Sequence, residues 1–153
     1  MIRNAFLIVL ILSLFGCGYN SIYTTNEKAN FTISSIEIEG DKYINNYIKS
    51  RLSKYQKNET NIKYELKINS SYNKIPIAKN KTGKITKYEL TASINLEIKG
   101  INNSKSFSIS ESFKIDNNSD SFEQSKYERE IKGNLSNLIL EKIKYNLIYF
   151  EWL

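Results

Sequence analysis

Residues 88–98 read Tyr88-Glu89-Leu90-Thr91-Ala92-Ser93-Ile94-Asn95-Leu96-Glu97-Ile98, the longest uninterrupted alternation of apolar and polar side chains in the chain. Successive side chains of a strand point to opposite faces, so this pattern predicts a strand with one buried and one solvated face. A sheet with one apolar face needs a second layer to cover that face. The remaining segments either pair with this strand or cover it.

Three further segments have a strand pattern. Residues 62–68 alternate between apolar and charged side chains, and residues 107–115 carry apolar side chains at most odd positions. The polar turn at 100–104 predicts an antiparallel hairpin between the last two strands. In residues 31–39 the apolar side chains change phase midway, which a bulge near Ser34-Ser35 would reconcile.

Two segments have a helical period. The first runs from about Ile44 to Tyr55, with Asp41 as its expected N-cap. The second is expected over about 122–146, where Glu123 and Gln124 can complete a capping box. The order β-α-β-β-β-α predicts an α+β two-layer sandwich, with both helices on one face of a four-stranded mixed sheet. The opposite sheet face is then polar and available to a partner.

The two ends of the chain are apolar. Residues 1–16 combine a short basic lead with an apolar run shorter than a membrane span, which predicts a signal peptide. The run ends in Leu14-Phe15-Gly16-Cys17, which resembles the bacterial lipobox and predicts diacylglyceryl modification and acylation, for example by palmitate, at Cys17. The alternatives are a buried thiol beside an ordinary signal peptide, or a retained anchor. Residues 147–153 are expected to pack on their own domain, with a partner-binding patch as the alternative.

These features predict a signal peptide at 1–16, a lipidated N-terminus and tether at 17–30, and a single domain at 31–153. Several acyl chains together hold a protein firmly on a membrane. The residue after the cysteine is Gly18, whereas inner-membrane retention signals have an acidic residue there. The expected location is therefore the periplasmic side of the outer membrane.

The charge and the missing residue types limit the function. The net charge is +6, and +5 remains once Arg3 leaves with the signal peptide. We interpret this as favouring anionic envelope partners over nucleic acid, although a lysine-rich coding bias explains it equally well. The chain has no histidine, and its one cysteine is assigned to lipidation, so we expect no metal site and no cofactor.

Paired carboxylates are the remaining signal of catalysis. Glu37 with Glu39, and Asp116 with Asp120, lack further ligands in their sequence neighbourhood. We interpret both pairs as surface charge and expect that the protein is not an enzyme. A periplasmic hydrolase, the rival interpretation, requires a concave site with perturbed carboxylates.

Several motifs in order resemble one family, the lipopolysaccharide-assembly lipoprotein LptE. They are the lipobox with Cys17-Gly18-Tyr19, the basic strand Lys84-Ile85-Thr86-Lys87-Tyr88-Glu89-Leu90-Thr91-Ala92, and Ser112-Phe113 followed by a charged helix start at 123–130. The predicted order of elements is also similar to that family's α/β layer.

The resemblance implies a function. Family members plug the outer-membrane β-barrel (LptD-like) that inserts lipopolysaccharide, and basic residues in the matching region contact lipopolysaccharide. The resemblance implies lipopolysaccharide contact for Lys84 and Lys87 in the first place, and for Lys79 and Lys81 in the second. For each lysine the alternative is a solvated loop. For the whole chain the alternative is a general envelope lipoprotein that acts as a structural or barrel-assembly accessory without lipid cargo.

Overall fold

The predicted elements form in the predicted order within residues 29–150, which the computed structural model describes. They are β1 (Phe31–Gly40), α1 (Lys42–Leu52), β2 (Ile62–Lys79), β3 (Ile85–Lys99), β4 (Ser104–Asp116) and α2 (Ser121–Ile148). The predicted signal peptide, Cys17 and nearly all of the predicted tether lie outside the described residues, as do residues 151–153.

The sheet is mixed, as the alternation and turn signals predicted. Its strand order is β1-β2-β3-β4, with β1 parallel to β2 and the other two pairs antiparallel. The β1–β2 register shifts between Ile33 and Ser35, which confirms the predicted bulge. Both helices cover one face, and the predicted fold class is therefore confirmed.

The alternating strand β3 forms the centre of the core. Leu90, Ala92, Ile94, Leu96 and Ile98 are all buried. Side chains from both helices meet them in one cluster, among them Ile44, Ile48, Leu52, Ile131, Leu135, Ile139 and Ile143. The helical period in the sequence therefore correctly predicted the two helices that cover the apolar face of the sheet.

The helix boundaries follow local capping chemistry. The Asp41 carboxylate accepts hydrogen bonds from the backbone N–H groups of Tyr43 and Ile44, as expected of an N-cap. Helix α1 ends at Leu52 and tightens into a 3₁₀ turn over Ser53–Lys57, so it is shorter than predicted. Asp120 caps α2, and the Gln124 side chain accepts from the backbone N–H of Asn118 instead of completing a standard capping box.

The segment between the strand patterns at 62–68 and 88–98 is itself mostly strand. Strand β2 continues through Pro76 to Lys79 and pairs with β3 along that length. The pairing of β1 with β2 ends at Gly40 and Ser70, so β2 is an edge strand beyond that point. A proline is tolerated on an edge because its missing N–H need not break a ladder hydrogen bond.

Aromatic rings close the end of the molecule where β1 begins. Phe150 is 1% exposed, and its ring centroid lies 5.0 Å from that of Tyr64. Tyr64 in turn contacts Phe31, at 5.5 Å. The apolar C-terminal segment therefore begins by packing on its own core. Across residues 29–150, neither helix is both long and apolar enough to span a bilayer.

Candidate functional site

The β2–β3 turn is a compact structure built by Asn80. Its side-chain oxygen accepts hydrogen bonds from the backbone N–H groups of Thr82 and Lys84, at 3.0 and 2.9 Å. Gly83 has a φ of +83°, a conformation that glycine adopts without strain. The turn therefore fixes the backbone from which the neighbouring lysines project.

The predicted lipopolysaccharide-binding lysines lie at this end of the hairpin. We call residues 79–87 the lysine hairpin. Lys79, Lys81, Lys84 and Lys87 are all exposed. Lys87 forms an ion pair with Asp116 on β4, at 3.5 Å. Within the described residues, Lys79, Lys81 and Lys84 have no carboxylate within ion-pair distance, so their charges are available to an anionic ligand.

Lys74 lies near the lysine hairpin but is not available to an anionic ligand in the same way. The ammonium of Lys74 lies 2.5 Å from the carboxylate of Glu128 on α2 and 4.1 Å from the centroid of the Tyr88 ring. It therefore ties the hairpin to the helix layer, and its charge is already compensated.

The face of the sheet opposite the helices is polar, as expected. We call it the open sheet face. Its middle carries uncharged hydroxyl and amide side chains in register across three strands, namely Asn69, Ser71, Asn73, Thr91, Ser93, Asn95, Ser108, Ser110 and Ser112. Ser93 and Ser110 are hydrogen-bonded at 2.8 Å, and Ser108 donates to Asn95. Such a face can exchange hydrogen bonds with a polar partner without burying charge.

The sheet and helix layers are joined by a polar cluster that the sequence did not reveal. The ammonium of Lys132 lies 2.7 Å from the carboxylate of Asp41 and 4.3 Å from the centroid of the Tyr72 ring. Burial by itself raises the pKa of Asp41, but hydrogen bonds from Lys132, Ile44 and Tyr43 outweigh it and hold this pKa below its ordinary value. Asp41 was recognisable as an N-cap, but nothing in the sequence pointed to Lys132 as its partner.

Tyr72 is the unusual member of this cluster. Its hydroxyl is buried and has no hydrogen-bond partner among the described residues. Burial raises the pKa of Tyr72 to about 12, and the negative charges of Glu128 and Asp41 add to the shift. The tyrosine is therefore held in its neutral form.

The carboxylates considered for catalysis occupy structural or solvated positions. Glu37 and Glu39 are exposed on the open sheet face. Asp116 pairs with Lys87, and Asp120 caps α2. In the part of the chain that the structure describes, no three histidine, cysteine or acidic side chains come close enough to hold a metal ion.

Together these features define a class: a small two-layer α+β domain with a polar sheet face and a basic hairpin. No protein-family model and no curated protein sequence matches the chain. Among solved structures, it is similar to rare lipoprotein B from Shewanella oneidensis, at 13% identity and a TM-score of 0.61, covering 76% of this chain and 96% of that one.

A second similar structure is a lipoprotein B from Nitrosomonas europaea. The identity is 8% and the TM-score 0.54, and the match covers 80% of this chain and 88% of that one. At such low identity the likeness establishes the fold alone. The chain therefore has the fold of these bacterial lipoproteins over most of its length.

Proposed function

We propose that this protein is an outer-membrane lipoprotein, anchored on the periplasmic side through lipidated Cys17. Its domain fills the lumen of the β-barrel that inserts lipopolysaccharide and stabilises that barrel, and its lysine hairpin engages lipopolysaccharide during insertion. It performs no catalysis and needs no cofactor. The observation that carries this proposal is the set of uncompensated ammonium groups of Lys79, Lys81 and Lys84 on an ordered turn.

The chemistry of the ligand fits these groups. The lipid A and inner-core region of lipopolysaccharide carries phosphates, which accept charge-assisted hydrogen bonds from ammonium groups. Strand β2 continues for nine residues beyond Ser70, its last pair with β1, and ends at Lys79, where the turn begins. At roughly 3.3 Å per residue, this places Lys79 about 30 Å beyond the end of the β1–β2 pairing.

The open sheet face supports the plug role. The lumen of an outer-membrane barrel is polar, so a plug needs a polar outer surface. The uncharged hydroxyls and amides of this face can form hydrogen bonds with such a wall. The fold shared with rare lipoprotein B also supports a lipid-anchored location, and the lipobox at Cys17 supplies the attachment site.

The test replaces Lys79, Lys81, Lys84 and Lys87 together with glutamine in the tagged full-length lipoprotein. We expect binding of purified lipopolysaccharide to weaken by roughly tenfold or more, because several charge-assisted contacts are lost. The matched control replaces Lys42, Lys49, Lys57 and Lys126, which are exposed elsewhere, with glutamine. It makes the same change in net charge and should bind as the wild type does.

The same preparations also test whether the lipoprotein co-purifies with a β-barrel. Recovery of a large β-barrel in equal amount with the wild type and with both variants supports the plug role. Equal losses of lipopolysaccharide binding in both variants would show that the hairpin has no specific role. Recovery of the lipoprotein without a barrel would instead favour the general envelope lipoprotein, a structural or barrel-assembly accessory without lipid cargo.

A further inference from the structure

The two edges of the sheet differ in how they are protected. On one side, β1 is bulged, and the free part of β2 contains Pro76 and two register shifts, features that discourage pairing with another strand. On the other side, β4 pairs with β3 over thirteen residues without a register shift and contains neither proline nor glycine. Within residues 29–150 no strand pairs with its outer edge. Strand β4 carries the charged side chains of Lys105, Glu111 and Lys114, but its unbroken backbone edge is open to strand addition.

An apolar flank of helix α2 lies beside this edge. Tyr127, Leu138 and Tyr145 are 43%, 49% and 59% exposed, and their spacings of eleven and seven residues place them on one side of the helix. That side faces β4, because Tyr127 lines a groove of about 580 Å³ with Phe113 and Ile115 of β4. Lys142 of the same helix also pairs with Glu111 of β4. The strand edge and the helix flank therefore form one continuous surface.

We propose that this surface is the interface between two copies of the chain, which pair antiparallel through β4 about a two-fold axis at Ser108. The pairing runs over residues 104–112 of each copy. It joins the two sheets into one of eight strands.

The charges of β4 select this register. With Ser108 on the axis, Lys105 of each copy lies opposite Glu111 of the other, and Phe107 lies opposite Ile109. No like charges face each other. Among the described residues, the ammonium of Lys105 has no carboxylate within ion-pair distance; it lies only near the Phe150 ring, at 5.7 Å. Dimerisation therefore places beside Lys105 the carboxylate of Glu111, which Lys142 of the other copy also contacts.

The helix layer fits the same arrangement. Helix α2 packs about equally on β3 and β4. Strands are about 4.8 Å apart, so two such helices related by the axis lie about 10 Å apart, near the usual distance of packed helices. Leu138 and Tyr145 flank Lys142, which pairs with Glu111 close to the axis. The exposed apolar side chains of the two helices are thereby brought together and covered.

The proposal concerns the lipoprotein that is not bound to a barrel, and it does not rest on the plug role. A barrel complex tests the plug, whereas the arrangement of two copies is tested on the isolated protein. Failure of one leaves the other standing.

The test uses the full-length lipoprotein in detergent, with Ser108→Cys as the reporting variant. On the axis, residues 108 of the two copies lie opposite each other, with Cβ atoms about 5 Å apart. A short thiol-reactive linker should therefore join Ser108→Cys copies efficiently. Ser106→Cys is the control, because its two copies are offset by about 13 Å along the strands. A mixture of Ser106→Cys and Ser110→Cys copies should cross-link, since these positions face each other.

A charge reversal checks the register independently. Lys105→Glu places two carboxylates opposite each other at both ends of the ladder, and we expect the dimer dissociation constant in sedimentation to rise about tenfold. Lys114→Glu makes the same charge change on β4 outside the paired residues and should leave it unchanged. A wild type that stays monomeric, or equal cross-linking at positions 106 and 108, would overturn the proposal.

Discussion

Three residues on the inner face of β2 replace the apolar pattern with polar contacts between the sheet and the helices. Ser70, Tyr72 and Lys74 occupy positions that face the helices. Each meets a polar group: Ser70 donates to Asn45, Lys132 stacks over Tyr72, and Lys74 pairs with Glu128. These contacts fix the orientation of both helices on the sheet, because each needs a specific partner while apolar packing does not.

Replacing Tyr72 with phenylalanine tests the environment of its hydroxyl. Because the buried hydroxyl has no partner in the described residues, we expect no loss of stability at neutral pH, and a gain of up to about 1 kcal/mol. In the wild type, unfolding frees a tyrosine that ionises near pH 10, while the folded protein keeps its proton to about pH 12. The unfolded state therefore binds fewer protons, and stability falls as pH rises through this range.

The measurement is the free energy of unfolding in urea between pH 8 and 12 for both proteins. In the Tyr72→Phe variant, we expect the free energy of unfolding to fall less steeply above pH 10, because the contribution of Tyr72 ionisation is gone. Parallel profiles for the two proteins would contradict the assigned pKa.

At the scale of elements, the junction between β1 and α1 depends on Gly40. Its φ is +104°, and a Cβ atom there would lie 1.9 Å from the carbonyl oxygen of Ser70. That same oxygen accepts a hydrogen bond from the backbone N–H of Asp41. The close approach of β1 to β2 therefore sets the position of the Asp41 cap and of the helix that follows.

We expect Gly40→Ala to lower the free energy of unfolding by about 3 kcal/mol or more, because it adds a backbone clash to the strained φ. The matched control is Gly83→Ala, with φ +83° and no atom within 4 Å of the added Cβ. Its free energy of unfolding should fall by only about 1–2 kcal/mol, because only the unfavourable backbone conformation contributes. Urea unfolding measures both, and equal losses would mean that the contact with Ser70 relaxes freely.

The elements also show what the sequence could reveal. Alternation and helical period identified all six elements, and the phase change in β1 located the bulge, because burial of one face leaves a periodic trace. The sequence hid the outer half of β2, since Pro76 reads as a break unless the end of β1 is known. The partners of Asp41, Tyr72 and Lys74 were also hidden, because they come from α2 residues far along the chain. The lipidation of Cys17 and the roles of the lysines stay predictions.

On the scale of the whole molecule, a line of aromatic rings joins the beginning, middle and end of the described chain. Tyr55 contacts Phe31, Phe31 contacts Tyr64, and Tyr64 contacts Phe150, with centroid distances of 5.3, 5.5 and 5.0 Å. The line closes the core where β1 begins. The lysine hairpin lies at the other end of β2, about 55 Å away along the strand.

Phe150→Ala should destabilise the whole protein by about 3–5 kcal/mol, since it opens a cavity in this line. Phe122→Ala removes the same atoms from a side chain that is 72% exposed, and it should change stability by less than about 0.5 kcal/mol. Thermal unfolding followed by circular dichroism compares the two. A small effect of Phe150→Ala would show that the C-terminal segment contributes little to the core.

The unequal lengths of the strands have a consequence for how this protein can evolve. Strand β1 ends at Gly40, opposite Ser70, and helix α2 contacts β2 as far as Lys74, through Glu128. The tip of the β2–β3 hairpin beyond these contacts can therefore grow or shrink while the packed layers stay the same. Inserting or deleting two residues in each strand keeps every side chain on its face and changes the reach of the turn by about 7 Å. Natural variation can thus adjust the distance between the end of the domain where β1 begins and the cationic end while the core remains the same.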